Sequence, residues 1–355
     1  QDERNISAMR KLEQAIPTLK LHSGALSFTQ WPTDLSKQVA AMSNPLRSVT
    51  GSALEQGYWE LYAGQVIPGL QHRVQARAAR SKARAPSRAV PSISIKSVHV
   101  MASDVGVRTL ERVLRRAEGE LATLFPWDWI ATNVSIDPAA SARDPPRWVK
   151  AADSTMRLSL GNMRTWANKI TTTLKAVDII VVDIANEDDV VNSIVFALTN
   201  VAPGGDIIVH IPRLAAASTA AVIHYASMCF EQTQLVHIAV CDRMYMCCRR
   251  FLGGIGRGTR ALFAYCESDP RQSDRVPFTS DYVDDDLFQT TVDQLMDVNI
   301  FVQQWRRTRY EQILDAHAGL IRTNAQLVGV ITAYLADYFP DRSAEWIAST
   351  GYTSG

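Results

Sequence analysis

The sequence predicts an α/β chain built on a mostly parallel, doubly wound sheet with an antiparallel edge and helical flanks at both ends. Three observations carry that expectation. Strand-like and helix-like periods alternate from Ser92 to about Leu214; several β-branched or apolar runs stop on an acid; and the last strand-like runs follow each other through short connections.

The elements follow in order. Residues 1 to about 70 read as mixed and mostly helical, with Met9, Leu12, Ala15, Ile16 and Leu19 on one apolar face and Trp31-Pro32-Thr33-Asp34 as a turn into a helix. Residues 93–102 predict a first strand that runs into Ser103-Asp104-Val105-Gly106. Leu110, Val113, Leu114, Ala117 and Leu121 place one apolar stripe on a helix over 109–124. Residues 129–136 predict a second strand ending on Asp137-Pro138, 147–152 a short third one ending on Asp153, and 158–174 a helix.

Val177–Val182 is a β-branched run ending on Asp183, suited to a strand buried on both faces. Val190–Asn200 repeats its apolar residues at helical spacing, Pro203-Gly204-Gly205 predicts a stop and turn, and 206–211 resumes the strand. A helix over 215–230, strands at 235–241, 244–251 and 261–266, and helices at 287–305 and 313–339 complete the series. The domain boundaries expected are a helical flank over 1–88, the α/β domain over 89–268 and a helical extension over 269–355.

The 355 residues suffice for a large core, and 46% apolar with 21% charged residues predicts a soluble globular chain. A net charge of +1 excludes a uniformly basic binder. The five cysteines show no metal spacing, and Cys247-Cys248 reads as core filling, so a reducing compartment and no metal are expected. No 18-residue apolar run or signal-peptide pattern appears in these residues, so no membrane span is expected. The start at Gln1 rather than Met predicts a piece of a longer polypeptide.

Asp104, Asp137, Asp153 and Asp183 stand at the ends of successive predicted strands, where open α/β sheets bind ligands. Short polar residues also start loops and cap helices; in register, these acids favour a nucleoside-containing cofactor. A second feature is basic. Residues 61–103 contain no Asp or Glu, and Arg73, Arg77, Arg80 and Arg84 share one side of a helix, with Lys82 and Arg88 nearby. Such a stripe offers contacts to RNA phosphates; a solvated linker ending at Pro86 is the competing reading.

Ser103-Asp104-Val105-Gly106, Ile136-Asp137-Pro138, the run from Asp178 to Asp183 and Ala202-Pro203-Gly204-Gly205-Asp206 together resemble the S-adenosylmethionine-dependent RNA ribose 2′-O-methyltransferases, over roughly residues 80 to 250. Viral mRNA-capping domains are the group most similar. The resemblance implies a Rossmann-like methyltransferase sheet, S-adenosylmethionine at Asp104, Gly106, Asp137 and Asp153, and capped RNA on Arg73, Arg77, Arg80, Arg84 and Arg88. It also implies neighbouring domains of a larger viral polypeptide and a location in the host cytoplasm or virion.

The family's catalytic set is Lys-Asp-Lys-Glu. Asp183 matches its Asp, and Lys82 is the best match for the first Lys, with Lys96 in reserve. His210 stands where the second Lys belongs, with Arg213 as a nearby cation, and aligning on Tyr245 puts Arg243 in place of the Glu. The first loop carries only Gly106, where the family's loop is rich in glycine. Two readings stay open: a cap methyltransferase using Asp183, Lys82 and His210, or an inactive methyltransferase-like domain that binds RNA or organises a capping protein. A dehydrogenase is disfavoured, because no G-x-G-x-x-G follows the first strand.

Other features rank lower. The glycines from Gly253 to Gly258 read as a hairpin turn, His224 and His237 as structural, and Trp127 and Trp129 as core. The run from Trp305 to Tyr310 reads as an exposed helix face.

Overall fold

The computed structural model describes residues 51–81, 91–133, 138–151, 158–184, 189–212, 217–253, 285–315 and 342–352, with single positions between them. The strands are β1 (Ile95–Val100), β2 (Trp127–Asn133), β3 (Trp148–Lys150), β4 (Val177–Val182), β5 (Val201–His210), β6 (Phe230–Ile238) and β7 (Arg243–Phe251). They form one seven-stranded sheet in the order β3-β2-β1-β4-β5-β7-β6. β3 to β5 pair in parallel with their neighbours, and β7 and β6 add an antiparallel edge. The parallel part has the doubly wound 3-2-1-4-5 order, whose switch point lies between β1 and β4. The α/β class with its antiparallel edge is the one the sequence predicts.

The helices are α1 (Ala53–Ser81), α2 (Asp104–Leu121), α3 (Pro138–Arg143), α4 (Leu160–Thr173), α5 (Val190–Asn200), α6 (Ala217–Cys229), α7 (Asp285–Asp315) and α8 (Ser343–Thr350). Ile179–Val182 are all buried in succession, so both faces of β4 are covered, as a parallel strand between helical layers requires. α1 packs against α2, where the Arg112 guanidinium lies 5.2 Å from the Trp59 ring centre. Tyr58, Leu61, Tyr62, Val66 and Leu70 give α1 one buried stripe at helical spacing.

Several boundaries differ from the sequence expectation. α2 starts at Asp104 rather than 109, because the Ser103 hydroxyl accepts from the Gly106 N–H and caps it. Pro203-Gly204-Gly205 is no turn between elements: β5 starts at Val201, directly after α5, and these residues form a bulge within it. A Cβ on Gly205 would lie 2.7 Å from Val201 Cγ2 and 2.9 Å from the Ala202 and Asp178 carbonyls, so only glycine fits. β6 starts at Phe230 and pairs Ile238 with Arg243, earlier than the expected 235–241. Trp127 and Trp129 stand inside β2, stacked 5.5 Å apart as part of the packing.

The chain divides into two compact units, Gly57–Thr291 and a second one made of Gln1–Gln56 with Val292–Gly355. In the second unit, Tyr352 packs on Trp346 at 5.1 Å between ring centres, and its hydroxyl lies 3.2 Å from Glu55 Oε1. No helix among the described residues is long and apolar enough to cross a membrane. The expected elements over 1–50, 261–266 and 316–339 lie outside the described residues.

Candidate functional site

The strand end of β4 places Asp183 at the switch point. Its backbone N–H donates to the Val100 carbonyl at 3.0 Å, which continues the β1–β4 pairing by one residue and fixes the carboxylate over the sheet edge. The side chain is only 12% exposed. Both carboxylate oxygens are engaged. The Arg243 guanidinium, at the start of β7, donates to Oδ1 at 2.7 Å, and the Tyr58 hydroxyl, from α1, donates to Oδ2.

His210, the last residue of β5, completes the cluster. Its Nδ1 lies 2.5 Å from the Ile184 carbonyl and 3.9 Å from Asp183 Oδ1. The carbonyl contact makes Nδ1 the protonated nitrogen, leaving Nε2 without a partner among the described residues. Burial pushes the His210 pKa below its ordinary value; Asp183 and the Ile184 carbonyl oppose that, and Arg243 reinforces it. The ring is therefore neutral at pH 7, and it packs 5.3 Å from the Tyr245 ring centre.

The aromatic side of the cluster is equally closed. Burial, then the Asp183 carboxylate and the Tyr245 and Tyr62 rings, hold the Tyr58 hydroxyl protonated far above its ordinary range. Tyr62 stacks on Tyr58 at 5.6 Å, and its hydroxyl is buried with no hydrogen-bond partner among the described residues. Burial and Asp183 likewise raise the Tyr245 pKa, against the Arg243 hydrogen bond. For Arg243, burial is the strongest single influence and lowers the pKa; the Asp183 charge, together with the Tyr245 hydrogen bond and the charges of Tyr245 and Tyr58, outweighs it and raises the value. The guanidinium is a permanent cation fixed between a carboxylate and a phenol.

The Tyr58 ring reaches across the switch point. A Cβ added to Gly106, in the first turn of α2, would lie 3.1 Å from Tyr58 Cζ. One phenol thus spans from the helix that follows β1 to the acid that follows β4. The resemblance puts the methionine part of S-adenosylmethionine in that crevice, and the side chains present do not fit it there. The first-turn Gly106 amide is already spent on Ser103.

The structure brings together Asp183, His210 and Arg243. Asp104 lies in the first turn of α2, with Arg143 Nη2 at 2.6 Å and Arg108 Nε at 3.6 Å from its carboxylate. Lys96, the reserve candidate, stands at the amino end of β1, its Nζ donating to the Leu174 carbonyl at 2.7 Å, far along the strand from Asp183. Lys82, Arg84, Arg88, Asp137, Asp153 and Arg213 lie outside the described residues, as does the side chain of Arg80. Arg73 is paired with Asp178 at 2.7 Å and lies 3.8 Å from Asp206, and Arg77 donates to the Ser92 carbonyl. Arg73 is therefore neutralised by acids from distant segments, although residues 61–103 contain none.

The sequence reading missed Tyr58 and Tyr62. Their spacing, i and i+4 on a helix, marks a buried face, but nothing local says that the face closes a strand end 125 residues further on. Among the described residues no group of His, Cys, Asp and Glu is placed to hold a metal ion.

No family model matches the chain, and no curated protein matches it. Among solved structures, a Plasmodium falciparum protein named as a ribosomal RNA methyltransferase aligns at 19% identity with a TM-score of 0.32, over 45% of this chain and 88% of its own.

Proposed function

We propose that the α/β unit is a catalytically silent methyltransferase-like domain whose task is to bind RNA within a larger capping or replication protein. The observation that carries the silent part is the state of Asp183, saturated by Tyr58 and Arg243, with the Tyr58 ring against Gly106. Methyl transfer onto a ribose hydroxyl needs room for the donor at the strand end and a group that takes or weakens the hydroxyl proton. Among the described residues, the Asp183 carboxylate is flanked by the Arg243 guanidinium, the Tyr58 phenol and the neutral His210 imidazole rather than by lysines. The RNA part is supported by the α1 arginines and by the motifs that resemble RNA methyltransferases. The viral setting, with other domains of the same polypeptide as neighbours, belongs to the same proposal.

A second reading, an active 2′-O-methyltransferase, draws on His210 Nε2, which has no partner among the described residues, as a base beside Asp183. An assay of methyl transfer from labelled S-adenosylmethionine to capped RNA, run beside an RNA-binding titration, separates the two. Binding without transfer supports the silent domain. Transfer that disappears in Asp183→Ala establishes the enzyme and overturns the proposal.

A further inference from the structure

The two edges of the sheet are built differently. β3 closes one side with only Trp148–Lys150, and its last residue is a lysine; a short, charged edge of this kind resists pairing with other strands. β6 closes the other side with nine residues, Phe230–Ile238, and holds one register on β7 from Phe230 opposite Phe251 to Ile238 opposite Arg243. It carries no lysine, arginine, proline or glycine. Its single carboxylate, Glu231, is tied back to Arg250 at 2.9 Å. The side chains that normally blunt an edge are missing from this strand.

The pairing of β7 decides which residues of β6 face outward. The Ile211 N–H donates to the Met244 carbonyl at 2.8 Å, and the Arg250 N–H donates to Asp206 Oδ1 at 2.8 Å. The even-numbered residues of β7 thus turn their backbone groups toward β5. Alternation along an antiparallel ladder then turns Tyr245, Cys247 and Arg249 toward β6, opposite Val236, Gln234 and Gln232. Thr233 and Leu235, which lie between those three, point their N–H and C=O groups away from β7. β6 is the last strand of the sheet, and no backbone hydrogen bond from Thr233 or Leu235 reaches another element among the described residues.

This row is complementary to itself. Gln234 is the midpoint of the strand, so a second β6 running antiparallel about a twofold axis at Gln234 overlaps the first over its whole length. A shift of one residue shortens the overlap at both ends. The centred register sets Thr233 opposite Leu235 of the second copy and Leu235 opposite its Thr233. Those are the two outward-facing positions, and they exchange about four backbone hydrogen bonds. The same register sets Phe230 opposite Ile238 and Gln232 opposite Val236. It faces Glu231 with a histidine, His237 of the second copy, so no like charges meet.

We propose that β6 is a homodimerisation edge: a second copy of this chain adds its own β6 antiparallel about a twofold axis at Gln234, joining the two sheets into one. A second copy is the occupant because the strand's own residues satisfy the outward-facing groups of Thr233 and Leu235 while every opposed side-chain pair avoids like charges. A contact that uses the same strand on both partners closes on itself, so association stops at two. The proposal is independent of the RNA-binding reading.

The experiment is sedimentation velocity of the 355-residue chain over a concentration series reaching about 100 µM. The 39.3 kDa chain is expected to run at twice its mass at the upper end. Gln234→Lys and Gln234→Glu each set two like charges face to face across the axis, at an exposed position whose backbone pairing with β7 is untouched. Each is expected to weaken the dimer about tenfold with the circular dichroism unchanged. An equimolar mixture of the two is expected to restore the dimer, because a lysine then faces a glutamate. Thr233→Pro is a second probe: it removes one outward N–H, keeps the bonds to β7, and is expected to weaken the dimer as well. A monomer at about 100 µM overturns the proposal. So does a dimer whose affinity the Gln234 variants and Thr233→Pro leave unchanged. If the single variants dissociate and their mixture does not re-form the dimer, the twofold register at Gln234 is overturned.

Discussion

Tyr58 and Asp183 are joined by a hydrogen bond across 125 residues of chain, the phenol donating to the carboxylate at the sheet's switch point. This contact ties α1 to the strand end where doubly wound sheets ordinarily receive a ligand. Its removal is informative in two steps. Tyr58→Phe keeps the ring and loses the donor, and is expected to cost about 1–2 kcal/mol in urea unfolding. It should leave the crevice closed, because the ring still abuts Gly106.

Gly106 gives a sharper test of that abutment. Alanine in an α-helix normally gains about 1 kcal/mol over glycine. Here the new Cβ meets Tyr58 Cζ at 3.1 Å, so the gain should vanish or reverse. In a Tyr58→Ala background the gain should return. A double-mutant cycle by chemical denaturation then shows a coupling of at least about 1 kcal/mol; additive effects would mean the two residues do not touch.

The Arg243–Asp183 pair predicts asymmetric damage. Arg243→Leu leaves a largely buried carboxylate with Tyr58 alone, at an expected cost of about 2 kcal/mol, held below the fully buried case by the partial exposure of Arg243. The double variant Asp183→Asn with Arg243→Leu should lose less than the sum of the single changes. Thermal unfolding of the four proteins checks it.

Two buried histidines set a pH dependence. Burial lowers His99 from 6.5 to about 3, and His210 also falls below 6.5. The unfolded chain therefore takes up protons that the folded chain refuses. Stability from this source is complete above pH 6.5 and declines as the pH falls below it; for His99 the decline runs down to about pH 3, at up to about 1.4 kcal/mol per unit. His99→Gln should flatten the profile between pH 6.5 and 4, measured as urea midpoints; an unchanged slope would place the effect elsewhere.

The β4–α5–β5 unit was legible because its signals are local. A β-branched run and a helical apolar period each act within a few residues, and Val177–Val182 and Val190–Asn200 stand where the sequence puts them. The Pro203-Gly204-Gly205 bulge was misread as a turn, since proline and glycine signal both and only the pairing of Val201 with Val177 distinguishes them. The place of Arg243 beside Asp183 was half visible, through the spacing to Tyr245 and the family likeness. Tyr58 was not, because its role depends on how α1 lies across the sheet. No period in the sequence encodes that crossing.

The central claim is that a phenol closes the switch-point crevice. The direct measurement is a calorimetric titration of S-adenosylmethionine into the full chain at up to millimolar concentration. The account predicts no saturable heat. Saturable micromolar binding to the unaltered chain would contradict it, because Tyr58 would then have to leave both Gly106 and Asp183 for the cofactor to enter.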